Sequence, residues 1–189
     1  MSSIIKVDTI QTAAGGTPGL ADLGITSTGS ILQTKQSTGS LSRIAVSSTS
    51  WAEPDTSMRL VLTPSSTSNK FIIMLSGHVE HRGDARGAIV PVVTPSGGSV
   101  VSCVAEQDAS GGVAAASLLG TNTNMQEMFR FNNEDANYHW YPYAVQGTYT
   151  PTSLVAHTFS VYAVCHAGAN LQLGDNGPVT TLTVTEIAG

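Results

Sequence analysis

From residue 30 to Gly189, apolar and polar side chains alternate with a period of two, in runs broken by Gly, Pro, Asn and Ser. That rhythm places successive side chains on opposite faces of an extended backbone, so each run offers one face to a core and one to solvent. It is clearest over 70–81, where Phe71, Ile73, Leu75, Gly77 and Val79 share one face. Ile72 and Met74 make the other face apolar at the start of the run, which predicts cover on both sides there. The polar stretch 63–69, Thr-Pro-Ser-Ser-Thr-Ser-Asn, joins this run to one carrying Met58, Leu60 and Leu62 on one face, and the pair is expected to form a β-hairpin.

Further strands are expected at similar spacing. The run 88–94 contains Pro91, which cannot donate to a ladder and so marks an edge or irregular strand. Residues 100–106 alternate as one strand, whereas 113–119 suit either a helical turn or a short strand. Over 125–131, Met125, Glu127, Phe129 and Phe131 fall on one face and Gln126, Met128 and Arg130 on the other. Over 158–166, Phe159, Val161, Ala163 and Cys165 oppose Ser160, Tyr162, Val164 and His166. The last run, 180–187, sets Leu182 and Val184 against Thr181, Thr183 and Thr185, and is expected at the centre of a sheet because chain ends fray unless tied down. Some eight strands with no long helix predict an all-β fold, an antiparallel sandwich of jelly-roll type over residues 30–189.

Residues 1–29 follow different rules. Ile4, Ile5, Val7 and Ile10 are apolar anchors on a short extended segment, and Thr12-Ala13-Ala14-Gly15-Gly16-Thr17-Pro18-Gly19 is too rich in Gly and Pro for regular structure. Leu20 and Leu23 fall on what is expected to be a single helical turn. These apolar residues have no core of their own to enter. The segment is therefore expected to be an extended N-terminal arm for attachment and assembly, with Ile4, Ile5, Val7, Ile10, Pro18, Leu20 and Leu23 as its contacts.

Composition narrows the partners. Only 11% of the 189 residues are charged, the formal net charge is −5, and Lys6, Lys35, Arg43, Arg59, Lys70, Arg82, Arg86 and Arg130 are scattered. Nucleic-acid binding needs clustered basic surface, so it is not expected. No apolar run is long enough to span a bilayer, and the start of the chain lacks the pattern of a signal peptide, so membrane insertion and export are not expected. In the reducing cytoplasm where such a chain would be made, Cys103 and Cys165 are expected as free thiols packed among small apolar neighbours.

No catalytic constellation emerges from the residues. Adjacent strand residues face apart, so Cys165 and His166 form no local dyad. There is no nucleophile elbow, phosphate loop or dinucleotide fingerprint. Glu106, Asp108, Glu127, Glu134 and Asp135 are scattered loop carboxylates rather than a glycosidase pair. His78 and His81 point to opposite faces of a strand, leaving three copies of one histidine on a symmetry axis as the remaining metal arrangement. His139, His157 and His166 suit surface or interface positions. No cofactor or metal is expected.

The most informative local feature is Tyr138-His139-Trp140-Tyr141-Pro142-Tyr143, with Tyr149 close behind and the polar stretch 132–137 before it. Tyr and Trp gather at interfaces because they bury large area while keeping a polar tip wet. These positions are candidates either for packing against a neighbouring subunit or for contact with a receptor.

Ser3-Ile4-Ile5-Lys6-Val7-Asp8-Thr9-Ile10-Gln11-Thr12-Ala13-Ala14-Gly15-Gly16-Thr17-Pro18, followed by Ala21-Asp22-Leu23-Gly24-Ile25, resembles the start of small virion proteins of marine tailed phages, including cyanophages, usually described as tail-fibre or appendage proteins. The turn and strand at 62–73 and the final Leu182-Thr183-Val184-Thr185-Glu186-Ile187-Ala188 look similar to the same group, while 82–149 carries no such likeness. The resemblance implies a location in the virion, self-association as a homotrimer and contact with other virion proteins. A capsid or tail decoration (cement) protein and a module binding host-surface glycan are the alternatives in other classes.

Overall fold

The computed structural model describes residues 28–39, 44–46, 51–82, 85–107, 113–115, 129–131, 138–168, 171–173 and 180–189. The first sheet contains β1 (Ile31–Gly39), β2 (Ile44–Val46), β4 (Lys70–Arg82), β10 (Tyr138–Tyr149), β12 (Leu171–Leu173) and β13 (Thr180–Ile187). The second contains β3 (Leu60–Leu62), β5 (Ala85–Pro95), β6 (Val101–Ser102), β9 (Phe129–Phe131) and β11 (His157–Gly168). A separate hairpin joins β7 (Ala105–Gln107) to β8 (Val113–Ala115).

Several short strands continue one another. β13 and β12 both pair with the same side of β4, at Lys70–Ser76 and Val79–Glu80, and β1 and β2 pair with β13 and β12 in turn. The first sheet is therefore four lines: β1/β2, β13/β12, β4 and β10. On the second, β3 and then β5 flank β11, and β6 and β9 share the far side of β5. Numbered along the chain, the eight lines run 1-8-3-6 in one sheet and 2-7-4-5 in the other. Two interlocked Greek keys in this order make a jelly roll, as the alternation predicts.

The core lies where the predicted inner faces meet. Phe71, Ile73, Leu75 and Val79 of β4 and Leu182 and Val184 of β13 face Phe159, Val161 and Ala163 of β11 and Ile89 and Val93 of β5, all buried. The outer face of the second sheet is covered as well. Val90 and Val92 are buried there, with Trp51, Val100, Val104 and Tyr162 packed against them.

Four expectations need correction. β3 and β4 form no hairpin: β3 pairs with β11 in the opposite sheet, and 63–69 crosses between sheets. A polar turn flanked by two alternating runs has the same appearance whether the chain returns beside itself or crosses the core. Within one chain the outer face of β4 is half-covered at Ile72 and open at Met74, which is 58% exposed, rather than covered along the start of the strand. β5 is an interior strand despite Pro91. Cys103 N–H donates to the Pro91 carbonyl at 3.0 Å, so the backbone polar groups of Pro91 point away from β11, to the side where β6 departs and no ladder donor is required. Finally, 100–106 is broken into β6 and β7 by a bend at Cys103 and Val104, with Ser102 Oγ accepting from Val104 N–H at 3.1 Å. Residues 113–115 take the strand alternative.

Candidate functional site

The jelly roll has two distinct ends, set by the long pairing of β4 with β10. Tyr149 lies opposite Phe71 at one end, and Tyr138 lies opposite Arg82 at the other. These twelve paired residues, eleven steps of register, separate the ends by about 36 Å at the usual strand rise.

The first end receives the chain from the N-terminal segment. Ile31 pairs with Ile187, Gly29 N–H donates to Ala188 O at 2.7 Å, and Ala188 N–H donates to Ser30 O at 2.8 Å. Gly29 takes a positive φ of 90° there, a turn conformation that suits glycine. Loops 63–69, 96–100 and 150–156 close the same end. Beneath them lie the rings of Phe71, Tyr149, His157 and Phe159, with centroids 5.0 Å apart for Phe71–Phe159 and 5.4 Å for Tyr149–His157.

A polar node caps this end. Glu186 is fully buried on the inner face of β13. Its carboxylate accepts from Asn69 Nδ2 (2.6 Å), Ser65 N–H (2.8 Å), Ser65 Oγ–H (3.1 Å) and Gln33 Nε2. Burial opposes its ionisation, but these bonds outweigh the penalty and hold the carboxyl below the usual carboxylate range. Sequence reading did not single out Glu186. Its one available signal was a carboxylate at an inward register position in a strongly alternating strand.

At the opposite end lies the start of β10, with Tyr138, His139 and Trp140 paired in register with Arg82, His81 and Glu80. Tyr141, the next residue, is 40% exposed. Tyr143 and Tyr149 point elsewhere. Tyr143 is 6% exposed in the core, its Oη 3.2 Å from Thr180 Oγ1, and Tyr149 belongs to the ring cluster at the first end. Burial pushes the Tyr143 phenol up, with the Thr180 bond pulling partly back. The aromatic candidates are thus divided along β10, because positions two apart face inward while the strand runs the length of the sandwich. His157 is likewise a core residue rather than a surface one, its Nδ1 2.7 Å from Val155 O.

The attachment candidates Ile4, Ile5, Val7, Ile10, Pro18, Leu20 and Leu23 lie outside the described residues, as do Asp108, Glu127, Glu134 and Asp135. Cys103 is a buried free thiol, and burial pushes its pKa up, away from the thiolate. Among the described residues, no three His, Cys, Asp or Glu side chains converge on a common point. No helix among them is long and apolar enough to cross a membrane.

The third surface is the outer face of the first sheet. Register gives three cross-strand rows: Thr34, Thr185, Ile72 and Thr148; Gln36, Thr183, Met74 and Gln146; Thr38, Thr181, Ser76 and Ala144. All twelve side chains are uncharged. Thr34 Oγ1 bonds Thr185 Oγ1 at 3.2 Å and Gln36 Nε2 bonds Thr183 Oγ1 at 3.3 Å.

Fold and surfaces together define an all-β jelly-roll sandwich. No protein-family model matches the chain, and no curated protein matches it significantly.

Proposed function

We propose that this chain is a non-enzymatic structural protein of a tailed-phage particle. In this reading it is a tail-fibre or appendage component that assembles as a homotrimer and attaches to other virion proteins through residues 1–29. The observation that carries the reading is the polarity of the jelly roll. The chain enters beside Ile31 and Ile187, while the aromatic run at the start of β10 lies at the other end of β4. An appendage needs this arrangement, with the tether at one end and the contacting surface at the other. The likeness of residues 3–25 to the start of phage appendage proteins supports the same assignment.

The test uses the full chain with Ile4, Ile5, Val7 and Ile10 all replaced by Asp. This variant is expected to keep the melting temperature of the wild type and to be lost from purified particles. Normal incorporation of the variant rejects attachment through the arm.

A second reading, contact with host-surface glycan, is favoured by the exposed Tyr141 at the far end. Replacing Trp140 and Tyr141 by Ala would then abolish adsorption while assembly continues. Unchanged adsorption excludes it.

A further inference from the structure

Among the described residues, the outer face of the first sheet offers a surface on which copies of this chain can meet without burying a charge. Its twelve central positions carry Thr, Ser, Gln, Ala, Ile and Met alone. The charged residues of β4, Lys70, Glu80 and Arg82, stand before and after these rows. Each copy carries a formal net charge of −5, so copies repel one another and the contact of least cost is one that leaves charged groups in water.

The three rows span four strands and five residues along each, about 19 by 17 Å, so they form the centre of a contact whose remaining area, toward the roughly 800 Å² per partner of a standard interface, comes from the positions flanking them. Met74 provides an apolar anchor at the centre, 58% exposed and flanked in its row by Thr183 and Gln146. The hydroxyl and amide groups along β1 and β13 already hold one another, so little side-chain freedom remains to be lost on contact.

We infer that the outer face of β1, β13, β4 and β10 is the interface between copies of this chain, centred on Met74. The inference rests on the self-associating reading above and names the surface that performs it. Met74 and Gln146 are both exposed, so a charge at either leaves the isolated fold intact but places an unpaired charge in the buried interface.

Sedimentation equilibrium of the full-length protein tests this with Met74→Glu, Gln146→Glu and, as a control on the second sheet, Val61→Glu, also an exposed position. The wild type and V61E are expected to form the same oligomer, with M74E and Q146E at least about tenfold weaker in association and unchanged in circular dichroism. If the wild type associates and the two charged variants associate equally well, this face is rejected while self-association stands. A wild type that remains monomeric at tens of micromolar overturns both. Hydrogen exchange on the unmodified protein gives an answer independent of any variant. Protection of 72–76 and 144–148 that rises with protein concentration supports the interface, and concentration-independent exchange there rejects it.

Discussion

Asn69 and Glu186, 117 residues apart in sequence, meet at 2.6 Å through Asn69 Nδ2 and Glu186 Oε1 at the end of the sandwich where the chain enters. The same Asn69 accepts from Gly189 N–H at 3.3 Å, and the same carboxylate holds Gln33 of β1 and Ser65 of the crossing loop. One carboxylate thus ties the strand that follows the N-terminal segment, the crossover between sheets and the last strand to a single point.

Acid should loosen that point. The folded-state pKa of Glu186 lies below its ordinary value of 4.5, so its ionised form adds stability that is complete above the unfolded value and is lost as pH falls through the folded one. Thermal melts between pH 6 and about pH 3 should show wild-type stability falling more steeply than that of Glu186→Gln. At pH 7 the variant should be less stable by about 1–3 kcal/mol, the range for hydrogen bonds to a buried charge. Parallel pH profiles for the two proteins would refute the role given to the node.

Two glycines are required by close approach rather than by backbone angle. A Cβ on Gly77 would lie 2.7 Å from both Tyr143 Oη and Thr180 Oγ1. A Cβ on Gly147 would run into the carbonyl of Cys103, a backbone group that accepts from Thr148 N–H at 2.8 Å. Gly77→Ala should cost about 1–3 kcal/mol by overpacking. Gly147→Ala should cost more, because a backbone segment bridging the sheets yields less readily than side-chain tips. Urea denaturation of the two variants measures both values, and the reverse order would contradict this account.

His157 and Phe159 sit in the same ring cluster with opposite expectations. His157 Nε2 is buried with no hydrogen-bond partner, so His157→Phe exchanges one bond to Val155 O for relief of an unsatisfied polar atom. Its stability should stay within about 1 kcal/mol of the wild type. Phe159→Ala opens a cavity against Phe71 and Tyr149 and should cost about 3–5 kcal/mol. Chemical denaturation resolves a difference of that size, and equal losses would show that the cluster is not packed as described.

Cys103 should be chemically silent while the protein is folded. Its thiol is buried and its pKa raised, so little thiolate is present to react. Mass spectrometry of the peptide containing Cys103 after alkylation at pH 8 should show label only when denaturant is added. Rapid labelling of the native protein would contradict its burial.

Alternation alone was enough to identify β4, β11 and β13 and their inner faces, since Phe71, Ile73, Leu75, Val79, Phe159, Val161, Leu182 and Val184 all enter the core as their spacing predicts, but it did not mark β1, β2, β10 or β12 as strands. The reason is local, since a pleated backbone turns successive side chains to opposite sides whatever its neighbour. Pairing is not local, because ladder bonds join backbone groups that every residue carries. The crossover at 63–69, the interior place of Pro91 and the end-to-end alignment of β12 with β13 became legible only in the folded chain. The same holds for Glu186 and for the division of the β10 tyrosines. A carboxylate on an inner face is tolerable only when Gln33, Ser65 and Asn69 converge on it, and that convergence comes from sheet topology rather than from the residues beside Glu186 in the sequence.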